Sequence, residues 1–247
     1  MGKGAYRRTL EVKADELDGR RHILYFDGAM SEAQVFVNGE KVCFWPYGYN
    51  SFHCDVTAQL KEGSNDITVL LENREQSSRW YPGAGLYRKV RHITQPHVHV
   101  PVWGTYVTTP HIGKDYAVVS VRTKIEGIEK GSAVTLKTRI LDSDGHAVAC
   151  VTDTRLLHFG EIEQTLTVEN PTLWSPESPV MYFVETEVYA GGSVNTDWNM
   201  DRPEISIADG TVPCDKVSTR FGFRTIEIIP DKGFFLNGEP RKFRGVC

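Results

Sequence analysis

The chain has 247 residues, enough for one to two domains of about 150 residues, each with a buried core. Its composition is ordinary for a globular protein, with 40% hydrophobic residues, 24% charged residues and a formal net charge of −4. These values exclude a disulfide mini-protein and argue against a nucleic-acid partner or a disordered tail. No run of residues approaches the roughly 18 apolar residues of a membrane span, so we expect no membrane partner.

Alternation of apolar and polar residues is the main signal along the chain. It predicts half-exposed β-strands, because successive side chains of a strand point to opposite faces of the sheet. The alternating segments, in chain order, are 67–71, 98–102, 117–125, 134–140, 166–168 and 182–188. Many short strands punctuated by glycine and proline predict an all-β protein of the sandwich type.

Turn residues support the same interpretation. Asn38-Gly39, Asp144-Gly145 and Asn237-Gly238 each predict a two-residue hairpin with positive φ at both residues. One short helix is predicted over 57–61, with Asp55 as its N-cap and Gly63 as its stop. A first domain boundary is expected near 101–110, and the polar segment 191–216 is predicted to be a long loop of the second domain.

The five cysteines lie at positions 43, 54, 150, 214 and 247, with an odd count and no Cys-x-x-Cys motif. This pattern argues against a disulfide framework. Cys54 alternates with Phe52 and Val56, which predicts a free, buried cysteine that packs as a small hydrophobic residue. We expect neither a redox role nor a metal site, and no cofactor.

The loop 77–88 combines two tyrosines and a tryptophan with two arginines and two glycines. Aromatic faces suit the C–H faces of sugar rings, and guanidinium and hydroxyl groups suit sugar hydroxyls, so the loop has the chemistry of a carbohydrate contact. The alternative is a rigid structural corner in which Trp80 and Tyr81 fill the core beneath a turn at Gly83 and Gly85.

Other polar groups carry weaker signals. His97 and His99 at i and i+2 of a predicted strand share one face without a third ligand, which favours a solvated strand face over a metal site. The acidic residues of segment 197–209 match no calcium-loop spacing. Four glutamates at period two are predicted to lie on a solvated strand edge and not to form catalytic pairs: Glu161, Glu163, Glu185 and Glu187.

Several sequence segments of the chain resemble the N-terminal, non-catalytic region of glycoside hydrolase family 2, the family of β-galactosidases, β-glucuronidases and β-mannosidases. They occur in the family's order and spacing over nearly the whole chain. They are the segments 4–10, 26–28, 35–39, 48–52, 55–57, 80–88, 170–177, 221–225, 235–240 and 244–246.

The resemblance implies a jelly-roll, sugar-binding-type sandwich at 1–103 and an immunoglobulin-like β-sandwich at 104–224. Residues 225–247 resemble the lead-in to a (β/α)₈ barrel (TIM barrel) that the chain does not contain, with 244–246 as the start of its first strand. The family's general acid/base and nucleophile are glutamates at the ends of barrel strands, so no catalytic residue is expected within the chain.

Two sets of substrate-site residues follow from the resemblance alone. Ser78, Arg79 and Trp80 are expected to shape the pocket for the terminal sugar, and Arg244 to lie at the barrel floor beside a catalytic carboxylate. In family members several dozen residues precede the strand that 4–10 resembles. We therefore expect this strand to expose an unpaired edge, with a tendency to form homo-oligomers.

The chain is accordingly predicted to be the N-terminal scaffold of a retaining exo-β-glycosidase, most similar to a β-galactosidase and inactive alone. Its partners would be a terminal β-linked sugar and its own C-terminal barrel. Two alternatives stay open at this point: a stand-alone carbohydrate-binding module using Arg79, Trp80 and Tyr81, and a structural module that binds only protein.

Overall fold

The structure is a computed structural model that describes residues 2–76, 82–129, 132–157, 160–190, 194–197, 204–207 and 210–245. Nineteen strands and two single-turn helices account for the regular structure of these residues, which confirms the predicted all-β class. The chain divides into two compact units, 1–97 and 98–247. Among the described residues no helix is long and apolar enough to span a membrane.

The first unit is a sandwich of two antiparallel sheets, one with the strand order β1-β6-β3-β4 and the other with the order β5-β2-β7. Its strands are β1 (Gly2–Val12), β2 (Arg21–Phe26), β3 (Ala33–Val37), β4 (Glu40–Trp45), β5 (Phe52–Asp55), β6 (Gly63–Asn73) and β7 (Val90–Gln95). A four-residue helix, α1 (Ala14–Leu17), follows β1, and a 3₁₀ helix (Thr57–Gln59) follows β5.

Alternate residues of these strands meet between the two sheets. Val35 and Val37 of β3 are fully buried, and the rings of Phe26 and Phe52 stack at 4.6 Å between centroids. The predicted helix at 57–61 is only the single 3₁₀ turn, in which the Asp55 carboxylate accepts hydrogen bonds from the backbone N–H and hydroxyl of Thr57. Helix α1 was not predicted because four residues carry no readable periodicity.

The turn residues act as predicted at two of three positions. Asn38 and Gly39 have φ of +51° and +86° between β3 and β4, and Asn237 and Gly238 have +54° and +78° between two later strands. At the third position only Gly145 has positive φ, +86°, since the connection there runs from 142 to 146 and is not a two-residue hairpin.

Strand β1 lies at the edge of its sheet, with β6 as its partner over all eleven residues. Residues 2–9 of this strand are exposed. Among the described residues no strand pairs with its outer edge, as the sequence predicted. Self-association through this edge stays a prediction.

The cysteine interpretation was wrong for Cys54. Cys43 of β4 and Cys54 of β5 form a disulfide that joins the two sheets of the first unit, with Cα atoms 6.1 Å apart. An alternating strand pattern shows that Cys54 is buried, but it does not show that a cysteine eleven residues earlier ends on the facing sheet. Cys150 and Cys214 are free and exposed.

The second unit is also a sandwich, with sheets of order β11-β10-β13-β16 and β12-β9-β8. These strands are β8 (Thr105–Ile112), β9 (Tyr116–Lys124), β10 (Ala133–Leu141), β11 (Ala147–Leu156), β12 (Glu161–Glu169), β13 (Tyr182–Ala190) and β16 (Asp215–Phe221). The predicted loop at 191–216 contains a further hairpin, β14 (Val194–Asp197) with β15 (Glu204–Ile207).

The core of this unit has apolar ends and a polar centre. Ala117, Val119 and Val121 of β9 are fully buried, as their alternation predicted. At the centre the side-chain oxygen of Gln164 accepts a hydrogen bond of 2.6 Å from the Thr138 hydroxyl, and its amide donates to the carbonyl of Leu136. The buried amide thus keeps its polar atoms paired across the two sheets.

The connection between the units does not form the strand predicted at 98–102. Only one isolated bridge, His99 with Glu126, occurs there, because Pro96 and Pro101 lack the N–H groups that a ladder needs. The Val100 N–H donates instead to the Asp215 carboxylate at 2.8 Å. The assignment of domains to 1–103, 104–224 and 225–247 stays a prediction.

The C-terminal part of the second unit is a small antiparallel sheet of β17 (Ile226–Ile229), β18 (Gly233–Leu236) and β19 (Glu239–Pro240). Residues 241–245 follow it without regular structure.

Candidate functional site

The first five residues of the predicted sugar loop, 77–81, lie outside the described residues, and Ser78, Arg79 and Trp80 are among them. Its flanks are well fixed in the first unit. The Asn73 amide donates to the carbonyl of Gly83 at 3.4 Å, and Gly85 and Met30 exchange two backbone hydrogen bonds of 3.0 Å. Gly85 has φ of +92°, a conformation that the predicted corner requires.

Arg244, the fourth predicted site residue, is exposed on the rim of an open hollow of about 630 Å³ in the second unit. The hollow lies against the small C-terminal sheet. Its lining includes Trp174, Arg224, Phe234, Arg241, Lys242 and Phe243.

Positive charge dominates this hollow. Arg241 is neutralised, since its guanidinium donates two hydrogen bonds of 2.6 and 2.9 Å to the Glu177 carboxylate. The hydrogen bond from Arg241 holds the pKa of Glu177 below its usual value. Arg224 lies over the ring of Trp174 at 5.1 Å, and Arg244 makes no ion pair with any described carboxylate. The hollow therefore suits a carboxylate or another anion.

The prediction of a solvated edge was wrong for Glu185 and Glu187. Both lie on β13, an inner strand of its sheet, and their side chains are only 15% and 12% exposed. One guanidinium nitrogen of Arg139 contacts both carboxylates, and Lys216 lies 3.0 Å from Glu185. The cross-strand register supplies these partners, because Arg139 faces Glu185 and Lys216 faces Glu187.

Charge compensation lowers the pKa of Glu185. Burial alone would raise the pKa of Glu185. The hydrogen bond from Lys216 and the charge of Arg139 together lower it by more than burial raises it, so the pKa lies below its ordinary value. A general acid needs the opposite shift. The two carboxylates therefore form a structural ion-pair network and not a catalytic pair.

The shared solvated face predicted for His97 and His99 is also wrong. His97 is exposed, whereas His99 is 1% exposed and lies 3.7 Å from the Glu126 carboxylate. Because the segment is not a strand, the i and i+2 positions do not share a face.

One cluster of ligand-type atoms was not foreseen. Atoms of Asp142, Asp144 and His146 lie within 4.8 Å of one another in the loop between β10 and β11. The Asp142 carboxylate accepts the backbone N–H groups of Asp144 and His146 at 2.9 Å. These hydrogen bonds are those of a turn, and the turn explains why the three side chains lie close together. The acidic residues of segment 197–209 have no described side chains.

Among the exposed tyrosines of the first unit, Tyr87 belongs to the predicted sugar loop, whereas Tyr47 and Tyr49 were not predicted as site residues. Tyr47, Tyr49 and Tyr87 are 53%, 42% and 40% exposed. Tyr47 and Tyr49 lie in the connection between β4 and β5, and their rings are 5.5 Å apart. The sequence has no alternation there, so it indicated neither the exposure nor the proximity of these rings.

Comparison with known families covers both sandwiches. The model of "Glycosyl hydrolases family 2, sugar binding domain" matches residues 1–96, and that of "Glycosyl hydrolases family 2" matches residues 98–201. The chain belongs to glycosyl hydrolases family 2. The family assignment agrees with the jelly-roll and immunoglobulin-like sandwiches expected from the sequence.

Curated relatives of the family carry two activity names. A putative beta-glucuronidase of Formosa agariphila is 34% identical over 247 residues, which is all of this chain and 22% of that protein. Beta-galactosidase BoGH2A of Bacteroides ovatus is 35% identical over 253 aligned positions, covering all of this chain and 27% of that protein. The chain thus spans about a quarter of the length of these relatives.

Solved structures of the family have the same fold over nearly the whole chain. A family 2 member from Bacteroides cellulosilyticus has a TM-score of 0.82 at 31% identity, covering 99% of this chain and 32% of that one. A beta-glycosidase from Bacteroides vulgatus has a TM-score of 0.81 at 27% identity, covering 100% and 29%.

Proposed function

We propose that this chain is the non-catalytic N-terminal part of a retaining exo-β-glycosidase. The observation that carries the proposal is the match of both sandwiches to family 2 in a chain that spans only 22–36% of its curated relatives. In this proposal the two units support a catalytic barrel and shape the pocket for the terminal sugar, while the barrel supplies the acid/base and the nucleophile.

The four glutamates at period two on β12 and β13 support a non-catalytic role. Retaining glycosidases need one carboxyl group with a raised pKa to protonate the leaving group. Glu185 has a lowered pKa. Arg139 and Lys216 form ion pairs with both Glu185 and its neighbour Glu187. Glu161 and Glu163 are exposed on β12, where Glu163 accepts a hydrogen bond from Ser120.

The predicted site residues have distinct roles in the intact enzyme. Ser78, Arg79 and Trp80 would border the sugar pocket from the loop whose flanks are fixed at Gly83 and Gly85. Arg244 would lie at the barrel floor and orient or charge-balance a catalytic carboxylate. The positive character of its hollow is consistent with such a partner.

The substrate is proposed to be a terminal β-galactoside, with a β-glucuronide as the second candidate because relatives carry that name too. Hydrolysis of 4-nitrophenyl β-galactoside and β-glucuronide should be measured with this chain and with the longest polypeptide that its gene encodes. We expect hydrolysis, with retention of the anomeric configuration, only by the longer polypeptide. Hydrolysis by the 247-residue chain itself, or inactivity of the longer polypeptide on every β-glycoside, would contradict the proposal.

A further inference from the structure

One surface of the first unit combines exposed aromatic rings with uncompensated positive charge. It consists of Tyr47, Tyr49, Tyr87, Arg88 and Lys89, and is called the tyrosine–cation surface below. Each of the five side chains is exposed. This combination suits a ligand with both an apolar face and a negative charge.

The segment that carries Tyr47 and Tyr49 is held from several sides. The Cys43–Cys54 disulfide closes it at both ends. Gly48 lies against Met30, where even a Cβ atom would come within 2.2 Å of the Met30 sulfur, and its carbonyl accepts a 2.7 Å hydrogen bond from the Tyr87 hydroxyl. The rings are therefore placed before a ligand arrives, which lowers the entropic cost of binding.

The aromatic rings have a geometry suited to sugars. The planes of Tyr47 and Tyr49 are inclined at 58°, so the two rings are steeply tilted and do not stack on each other. An exposed tyrosine ring can contact the C–H face of a pyranose. Tyr87 lies across Gly28, where a Cβ atom would come within 2.7 Å of its ring.

The positive charge lies next to these rings. Arg88 is placed over the ring of Tyr87 at 5.2 Å, and with Lys89 it borders a polar hollow of about 420 Å³. The other charged residues of the hollow, Arg91 and Asp27, neutralise each other at 2.8 Å. Among the described residues no carboxylate forms an ion pair with Arg88 or Lys89, so the hollow keeps about two positive charges next to the tyrosines.

We propose that the tyrosine–cation surface binds an acidic β-linked oligosaccharide, with sugar rings stacked on Tyr47 and Tyr49 and an anionic substituent at Arg88 and Lys89. The inference rests on the proposed function and names its substrate class: a carbohydrate that carries carboxylate or sulfate groups. Both groups offer planar or tripodal oxygen acceptors to a guanidinium and an ammonium.

Isothermal titration of the 247-residue chain tests the proposal with three tetrasaccharides: a neutral β-galactan, a sulfated β-galactan and a glucuronate-containing β-linked oligosaccharide. We expect roughly tenfold tighter binding of at least one acidic ligand than of the neutral one at low salt. The advantage should shrink at about 0.5 M salt, since exposed charges are screened there. The tighter acidic ligand identifies the substituent as sulfate or carboxylate.

Variants separate the two parts of the surface. The double variant Tyr47→Ala/Tyr49→Ala should weaken binding of every tetrasaccharide by roughly tenfold, because it removes the stacking faces. Lys89→Gln should weaken only the acidic ligands, by roughly threefold. Matched controls are Tyr116→Ala, an exposed tyrosine of the second unit, and Lys61→Gln, an exposed lysine outside the hollow.

Equal affinity for neutral and acidic ligands, or unchanged binding by the Tyr47→Ala/Tyr49→Ala variant, would overturn the proposal. Circular dichroism of each variant shows whether a loss reflects unfolding. Acidic-ligand binding by this chain together with an inactive longer polypeptide would contradict the proposed function alone. Hydrolysis by the longer polypeptide without acidic-ligand binding here would contradict only this inference.

Discussion

The two units differ in how their charged groups are paired. On the outer face of the second unit's sheet, Arg139 and Lys216 neutralise Glu185 and Glu187 within a single cross-strand network. In the first unit, Arg88 and Lys89 have no described carboxylate partner and stand beside exposed tyrosine rings.

The difference distinguishes charged groups that stabilise the fold from charged groups that can bind a ligand. A half-buried charge must find a partner in its own unit, because desolvation is costly. An exposed cation keeps its water and can exchange it for a ligand at little cost. Titratable groups in a cluster are therefore not by themselves a site; the informative feature is a charge that the fold leaves unpaired on a preorganised surface.

Removing the disulfide tests how far the first unit depends on its covalent link. Replacing both Cys43 and Cys54 by serine should lower its free energy of unfolding by roughly 3 kcal/mol, since the bond closes a loop with a separation of eleven residues. Urea unfolding of the chain measures the change. The double variant Cys150→Ser/Cys214→Ser is the control, because both thiols are free and exposed. An equal loss in both double variants would show that the disulfide adds nothing specific.

Truncating the shared cation tests the ion-pair network of the second unit. Arg139→Ala leaves two half-buried carboxylates with Lys216 as their remaining partner, and should cost about 2 kcal/mol of unfolding free energy. Arg122→Ala is the matched control, since Arg122 is 46% exposed and lies 3.8 Å from the exposed Glu161. We expect the control to change stability by less than about 0.5 kcal/mol. Similar losses would mean that burial of the carboxylates has no energetic consequence.

The fold was largely readable from the sequence because strand alternation reports burial directly. Val119, Val121 and Ile140 alternate with polar residues and are buried. Asn38-Gly39 fixed a hairpin because few other residues adopt two positive φ values. The strand predicted at 98–102 does not form, because Pro96 just before the segment and Pro101 within it lack the N–H groups of a ladder, which outweighs the apolar alternation.

The sites were less predictable because they depend on residues brought together by pairing between strands. Arg139, Glu185 and Lys216 meet through the register of three strands, which no local pattern encodes. Cys43 and Cys54 meet because the two sheets of the first unit pack face to face, which no local pattern encodes either. The positions of Ser78, Arg79 and Trp80 came from the family resemblance and lie outside the described residues.

As the pH falls, the first unit should lose stability before the second unit does. The loss in the first unit should be the smallest of the predicted effects. In that unit His22 Nδ1 lies 2.9 Å from His92 Nε2. The pKa of His92 is lowered below 6.5, mainly by burial and to a smaller extent by the charge of the neighbouring His22. The unfolded chain then binds more protons than the folded one just below pH 6.5, so stability falls as the pH drops through that window. For Glu185 the lowered pKa places the corresponding loss below pH 4.5.

Amide hydrogen exchange at β2 and β13 between pH 4 and 7, corrected for intrinsic rates, measures the two losses separately. We expect protection of β2 to decrease first, while protection of β13 holds until the pH falls below about 4.5. His92→Gln should remove the early change at β2, because glutamine does not titrate but can still donate to His22. An early loss at β13, or an unchanged early loss at β2 in the variant, would place the acid sensitivity in other groups.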